Sequence, residues 1–134
     1  MNMLHRFART LLAPALLAVA SCQTGPPTTD ELAHADYGSP ISQEDAQAKA
    51  TAWLEVTLKD PDSLRAEWSP VKQGWQRETL GDLHFGYRMA ASVNAKNSFG
   101  GYVGARPYVF MFSNGALAHV WAATDGRGFM SKVK

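Results

Sequence analysis

The sequence predicts an α+β fold in which one N-terminal amphipathic helix packs on a four- to five-stranded antiparallel meander sheet. Two patterns lead to this fold class. Apolar residues recur at helical spacing between residues 41 and 59, and beyond residue 63 the apolar period changes to two. Short turns join the strand segments, so neighbouring strands are antiparallel, and the single helix is the one element available to cover a face of the sheet.

The predicted helix runs from Ile41 or Ser42 to about Lys59. Ser42 is a good N-cap, and Asp45 three residues later complements the positive helix N-terminus. The residue before a proline avoids helical geometry, so Asp60-Pro61 ends the helix. One face of the helix is apolar and consists of Ala46, Ala50, Trp53, Leu54, Thr57 and Leu58.

Five strand segments follow the helix, marked by apolar alternation or by turn residues at their ends. The 102–112 segment is apolar on both faces near its end, so it should be central in the sheet. Asn114-Gly115 is a hairpin turn by residue type, and residues 124–134 read as a polar tail. The predicted strands are 64–68, 71–79, 85–95, 102–112 and 116–122.

Length and charge limit the class of protein. The 134 residues suit a single domain, and 46% hydrophobic residues against 19% charged residues are typical of a globular chain. The formal net charge is +1, but Arg6 and Arg9 lie before Cys22 and no acidic residue does. The rest of the chain is therefore close to neutral and lacks the positive field that nucleic-acid binding requires. No nucleic-acid partner is predicted.

The beginning of the chain has the pattern of an export signal. Arg6 and Arg9 give a positive start, residues 11–20 form a short apolar core, and small residues follow. Such a core in a helix spans only about 15 Å, half of a hydrocarbon layer of about 30 Å, so it is too short to cross a membrane. The sequence predicts a secretory signal peptide over residues 1–21.

The end of this signal, Val19-Ala20-Ser21-Cys22, resembles the lipobox of bacterial lipoproteins. The resemblance implies that the signal is cut before Cys22 and that its thiol carries a diacylglycerol, so that fatty acyl chains such as palmitate anchor the protein in a membrane. Gln23 follows, whereas Asp at this place usually retains lipoproteins in the inner membrane. The resemblance therefore implies the outer membrane of the cell envelope, facing the periplasm. An ordinary signal peptide with an incidental cysteine is the alternative.

Residues 22–40 are predicted to form a flexible tether, because Gly25-Pro26-Pro27 and a second breaker at 38–40 interrupt regular structure. The domain organisation is then a signal peptide, a tether and one domain over residues 41–134. Cys22 is the only cysteine, so the domain contains no disulfide and is held by its core.

Catalytic chemistry is not indicated. His84 and His119 are the only histidines of the predicted domain, and they form no recurring His or Cys pattern for a metal. His119 reads as a packed or edge-strand residue. The sequence predicts no catalytic residue, no metal, no cofactor and no enzyme activity. Four acidic residues could meet in space, but their spacing does not establish a carboxylate pair: Glu67, Glu78, Asp82 and Asp125.

The most distinctive stretch is Val93–Gly104, which reads Val-Asn-Ala-Lys-Asn-Ser, an aromatic residue, then Gly-Gly-Tyr-Val-Gly. Together with the upstream Leu58-Lys59-Asp60-Pro61-Asp62-Ser63, it resembles an uncharacterised family of small exported bacterial proteins and lipoproteins. The resemblance spans most of the domain and implies no known activity. Relatives often carry a cysteine shortly before this stretch, where this chain has Met89-Ala90-Ala91-Ser92, so any role of that thiol is absent.

This stretch has two interpretations. Asn97 tolerates left-handed backbone and its amide can bond the turn, which makes the stretch a structural hairpin. Alternatively it is a recognition loop, in which Lys96 and Arg106 meet an anionic group and the aromatic side chains stack on a ring. The candidate binding residues are Asn94, Lys96, Asn97, Phe99, Tyr102 and Arg106.

Three functions are open at the level of the sequence. The first is a membrane-anchored, non-enzymatic envelope lipoprotein, a binding or structural module that contacts an envelope protein or a cell-wall component. The second is an inhibitor of an envelope or host hydrolase whose cleft the loop would enter. The third is an enzyme in which Lys96, His84 or His119 meets a carboxylate after folding, which requires these groups to cluster.

Overall fold

The computed structural model describes residues 25–78, 81–123 and 129–134. The predicted signal peptide and Cys22 lie outside these residues. The described part of the chain has no helix with the length and hydrophobicity needed to span a bilayer. Its elements, in chain order, are α1 (Thr29–Ala33), α2 (Gln43–Thr57), β1 (Asp60–Trp68), β2 (Lys72–Arg77), β3 (Leu83–Lys96), β4 (Arg106–Ser113), β5 (Ala116–Ala123) and β6 (Met130–Lys132).

The predicted fold class is wrong, because the described chain is mostly antiparallel sheet, with six strands and only two short helices. The strand order is β1-β3-β4-β5-β6, and β2 also pairs with β3. The sheet is not a meander, since the 14-residue β3 pairs with β2 along residues 83–88 and with β1 along residues 91–96. Ser69-Pro70 separates β1 from β2, where proline cannot donate a ladder hydrogen bond.

One face of the sheet carries the larger apolar core. Alternate residues of β3 and β4 point to this face, and the buried Ala46, Ala50 and Leu54 of α2 belong to the same cluster. The predicted N-cap of this helix is confirmed, because the Ser42 hydroxyl accepts a hydrogen bond of 3.1 Å from the Asp45 amide. The strand residues of this core are Met89, Ala91, Val93, Tyr108, Phe110, Phe112, Val120 and Ala122.

The opposite face of the sheet, called the outer face below, holds a second cluster of Val109, Met111 and Trp121. Met130 of β6 packs against it. Because β4 buries apolar side chains on both faces and lies between β3 and β5, the prediction that this strand is central is confirmed. The prediction of a polar tail over residues 124–134 is wrong for 130–132, which form β6 and pair with β5.

Part of the segment predicted to be a flexible tether lies against the domain. The short helix α1 has a capping box, in which the Thr28 hydroxyl and the Glu31 carboxylate each bond the other residue's backbone amide. Arg77 contacts α1, because its Nη2 atom donates hydrogen bonds to both oxygens of the Glu31 carboxylate, at 2.9 and 3.1 Å. Further along, the Ser39 amide donates to the side-chain oxygen of Asn114 at 2.9 Å. These contacts fix where the chain enters the sheet domain.

Candidate functional site

The residues between β3 and β4, called the 97–105 loop below, form a turn organised by Asn97. Its side-chain oxygen accepts hydrogen bonds from the Phe99 amide at 2.9 Å and the Gly101 amide at 3.2 Å. The Asn97 amide in turn donates to the Gly101 carbonyl at 2.9 Å. Gly100 has φ +80°, which an L side chain rarely adopts. The expectation that Asn97 bonds the turn backbone is confirmed.

Tyr102 closes the loop against the strands. It forms an isolated bridge with Lys96, and its hydroxyl donates to the Ser63 carbonyl at 3.2 Å. The guanidinium of Arg65 lies 4.4 Å from the centre of the Tyr102 ring, and the Lys96 ammonium lies 5.7 Å from it. Both distances are in the range of cation–π attraction. Lys96 and Tyr102 therefore contact each other in the free protein.

Phe99 stands at the end of this turn with its side chain in solvent. The residue is 96% exposed, and Val103 further along the loop is 56% exposed. Single exposed apolar residues are common on protein surfaces. Here, however, the exposed phenyl ring is carried by a turn whose backbone is fixed on both sides by the Asn97 side chain.

The six predicted binding residues do not converge on one point. Asn94 and Lys96 share a face of β3, because successive residues of a strand alternate. Arg106 pairs with Val93, which lies in the larger core, so Arg106 belongs to the other face. The side-chain oxygen of Asn94 is buried and has no hydrogen-bond partner. Lys96, Asn97 and Arg106 nevertheless line one groove, and the contact of Lys96 and Arg106 with an anionic group stays a prediction.

A groove lies where the end of α2 meets the loop, and it is called the α2-end groove below. Its two adjoining cavities, of about 380 and 210 Å³, share Thr57, Arg106 and Tyr108. Three basic residues line the groove, Lys59, Lys96 and Arg106, and no acidic residue does among those described. The apolar lining includes Trp53, Leu58, Val93, Ala95, Val103, Ala122, Ala123 and Val133. This lining suits a group that is apolar and carries negative charge.

A separate cluster of polar side chains, called the histidine cluster below, lies on the outer face. The Glu78 carboxylate accepts from His84 Nε2 at 2.6 Å and from Lys132 Nζ at 2.9 Å, through the same oxygen. The His84 and His119 rings are 4.4 Å apart. Trp121 lies 5.6 Å from both rings, is 1% exposed, and its indole nitrogen has no hydrogen-bond partner.

Glu78 and His119 of the histidine cluster both have lowered pKa values, but for different reasons. The hydrogen bond from Lys132 lowers the pKa of Glu78, with a further contribution from His84, against the effect of burial. Burial lowers the pKa of His119, and the nearby His84 and Lys132 lower it further. The cluster therefore holds an ionised carboxylate beside an imidazole that resists protonation.

An enzyme would require Lys96, His84 or His119 to meet a carboxylate after folding. The histidine cluster has part of this arrangement, because it brings His84, His119 and the Glu78 carboxylate together. A carboxylate bonded to an imidazole is the arrangement that orients a general base. Glu78, however, is shared with Lys132, and neither histidine lines the α2-end groove. Among the described residues, no set of three or more His, Cys, Asp or Glu side chains is placed to hold a metal. Asp125 lies outside those residues.

No known protein family, curated protein or solved structure matches the chain. The likeness of Val93–Gly104 to small exported proteins thus stays a prediction. Among the described residues, Phe99 on the 97–105 loop is the most exposed large apolar side chain, and residues of the same loop line the α2-end groove.

Proposed function

We propose that this protein is a lipid-anchored binding module of the bacterial cell envelope. The lipobox-like Val19-Ala20-Ser21-Cys22 supports acylation of Cys22, and Gln23 supports the outer membrane, facing the periplasm. The anchor keeps the protein at a surface, where a partner is met without diffusion through the whole compartment. The domain acts by binding rather than by catalysis.

The observation that carries the binding role is the 96% exposure of Phe99 on a fixed turn. Full burial of a phenylalanine side chain contributes about 1.5–3 kcal/mol. Because the Asn97 side chain already bonds the loop backbone, little ordering entropy opposes that gain. Exposed aromatic residues that enter a partner's pocket are frequent binding hot spots.

The partner we propose is an envelope protein that has an apolar pocket for Phe99 and an acidic group beside it. The basic lining of the neighbouring α2-end groove, with Lys59 and Arg106, favours the acidic group. Arg106 is exposed and forms no ion pair among the described residues. A hydrolase is one kind of envelope protein with such a pocket, which makes inhibition a special case of the same contact.

Photo-crosslinking in living cells tests this role. A photoreactive phenylalanine analogue replaces Phe99 in the full-length protein, and the control carries it at Val56, an 84% exposed apolar position on α2. We expect one discrete protein adduct from position 99, absent from position 56, and lost when Lys59 and Arg106 are changed to Glu. Adducts to lipid or to glycan only, or the same adducts from both positions, would contradict the proposal.

A second measurement tests the anchor on its own. The intact mass of protein purified from membranes is compared between wild type and Cys22→Ala. We expect a chain that starts at Cys22 and carries acyl groups, and the variant should lose this mass. An unacylated chain with a different start would refute the anchor while leaving the role of Phe99 open to the crosslinking result.

A further inference from the structure

Strand β2 lies at an edge of the sheet. It pairs with β3 through six residue pairs, from Lys72 opposite Arg88 to Arg77 opposite Leu83. No other described strand pairs with its second edge. An edge strand presents a row of backbone N–H and C=O groups, which another extended chain can bond.

A cleft of about 720 Å³ follows this edge. Its lining includes five consecutive residues of β2, numbers 72–76, together with Ser69-Pro70 at the break before the strand. Successive side chains of a strand point to opposite faces. A cleft lined by every residue from 72 to 76 therefore extends along the strand and its backbone, as a groove for an extended peptide would.

The lining of this cleft includes two basic and two aromatic side chains, Lys72, Arg88, Tyr37 and Trp75, together with uncharged polar side chains. Lys72 and Arg88 are directly opposite in the ladder, where two like charges repel. Neither forms an ion pair with any described acidic residue, and the Nε atom of Arg88 is buried without a partner. Trp75, on the other face of the strand, is 38% exposed. An anionic partner would relieve the repulsion between the two cations.

We propose that β2 is a docking edge for an extended acidic segment of a partner protein, which adds to the sheet as a further strand. Backbone hydrogen bonds to the free edge would supply affinity. Alternate acidic side chains of that segment would face Lys72 and Arg88, and the intervening apolar side chains would pack on Trp75. The docking edge and the 97–105 loop lie at opposite ends of β3, so this site does not depend on the contact proposed for Phe99.

The test uses the protein purified in detergent and the peptide acetyl-(Glu-Val)4-amide, with acetyl-(Lys-Val)4-amide as the opposite-charge control. Amide hydrogen exchange along β2 reports binding, and the total tryptophan fluorescence, to which Trp75 and three other tryptophans contribute, is a second readout. We expect the acidic peptide to slow exchange of alternate β2 amides about tenfold or more. The basic peptide should leave exchange unchanged.

A charge-reversal pair completes the test. Lys72→Glu should weaken binding of the acidic peptide about tenfold, whereas Lys49→Glu, at an exposed position of α2, should not. Binding of both peptides alike, unchanged binding by Lys72→Glu, or no protection of β2 would overturn the proposal. Protection of β2 that rises with protein concentration in the absence of peptide would also overturn it, because a second copy of the chain would then be the occupant.

Discussion

The imidazole rings of His84 and His119 lie 4.4 Å apart, although they belong to β3 and β5, which β4 separates. The two rings meet over the outer face beside Trp121. The Glu78 carboxylate bonds His84 of this group, and Lys132 of β6 bonds the same carboxylate oxygen. Protonation of His119 would add a positive charge to this partly buried group, which already contains the Lys132 ammonium. The stability of the domain should therefore depend on pH.

We expect the free energy of unfolding to fall as the pH is lowered from 7.5 to 5.5. The pKa of His119 is below its ordinary 6.5 because of burial and the nearby His84 and Lys132. The unfolded chain therefore binds a proton more readily in this range, and linkage makes stability decrease as the pH falls below about 6.5. Urea unfolding at several pH values measures the effect, and His119→Gln should reduce it.

The matched control is His34→Gln, because the His34 side chain is 78% exposed. It should leave the pH profile unchanged. The lowered pKa of Glu78 acts in a different window, since stability from an ionised carboxylate is lost only as the pH falls below its ordinary 4.5. A profile between pH 7.5 and 5.5 that His119→Gln leaves intact would show that the cluster does not couple folding to protonation.

Local patterns in the sequence were sufficient to predict the helix α2 and the central position of β4 in the sheet. Ser42 caps α2 through a bond to Asp45, three residues away, and β4 shows its central position by apolar residues on both faces. The pairing of β1 and β2 with the same edge of β3 could not be read this way, because it depends on contacts between residues distant in sequence. β6 has only three residues, too few to show an apolar period.

The candidate site was predictable to a similar extent. The role of Asn97 follows from the chemistry of a residue that bonds its own turn, and the structure has those bonds. The groove shared by Lys96 and Arg106 could not be read from the sequence, because it depends on the register of β3 against β4, which places Arg106 opposite Val93. The proximity of His84 to His119 likewise results from three adjacent strands and one bulge between Met111 and Phe112, which no spacing in the sequence indicates.

The turn formed by Asn97 gives a prediction about the 97–105 loop. Asn97→Ala removes the acceptor used by the Phe99 and Gly101 amides, so we expect a loss of about 1 kcal/mol in the free energy of unfolding and faster motion of the Phe99 amide in NMR relaxation. Asn97→Asp keeps an acceptor at that place and should remain close to wild type. Equal losses in the two variants would show that the side-chain oxygen does not organise the loop.

Gly86 in β3 gives a test of packing on the outer face. A Cβ atom there would lie 2.6 Å from the Phe112 carbonyl oxygen and 2.7 Å from the Met111 sulfur. Since the backbone oxygen cannot move aside freely, we expect Gly86→Ala to lower the free energy of unfolding by about 1–3 kcal/mol. Gly101→Ala is the control, because the nearest atom to its added Cβ is 3.9 Å away. Urea denaturation of both variants should separate them, and similar values would contradict the close approach of β4.

Glu78, which follows β2, bonds Lys132 of β6. Glu78→Gln leaves Lys132 without its ion pair and weakens the bond to His84. The pair is partly exposed, with side-chain exposures of 23% for Glu78 and 32% for Lys132, so we expect a global loss of no more than about 1 kcal/mol. Locally, amide exchange in β6 should accelerate while β3 stays protected, because the bond to Lys132 ties this three-residue strand to the far side of the sheet.

The control is Glu67→Gln, which changes an exposed carboxylate of β1 and should leave β6 exchange at the wild-type rate. If both variants behave alike in hydrogen exchange, the bond between Glu78 and Lys132 does not hold β6 in place.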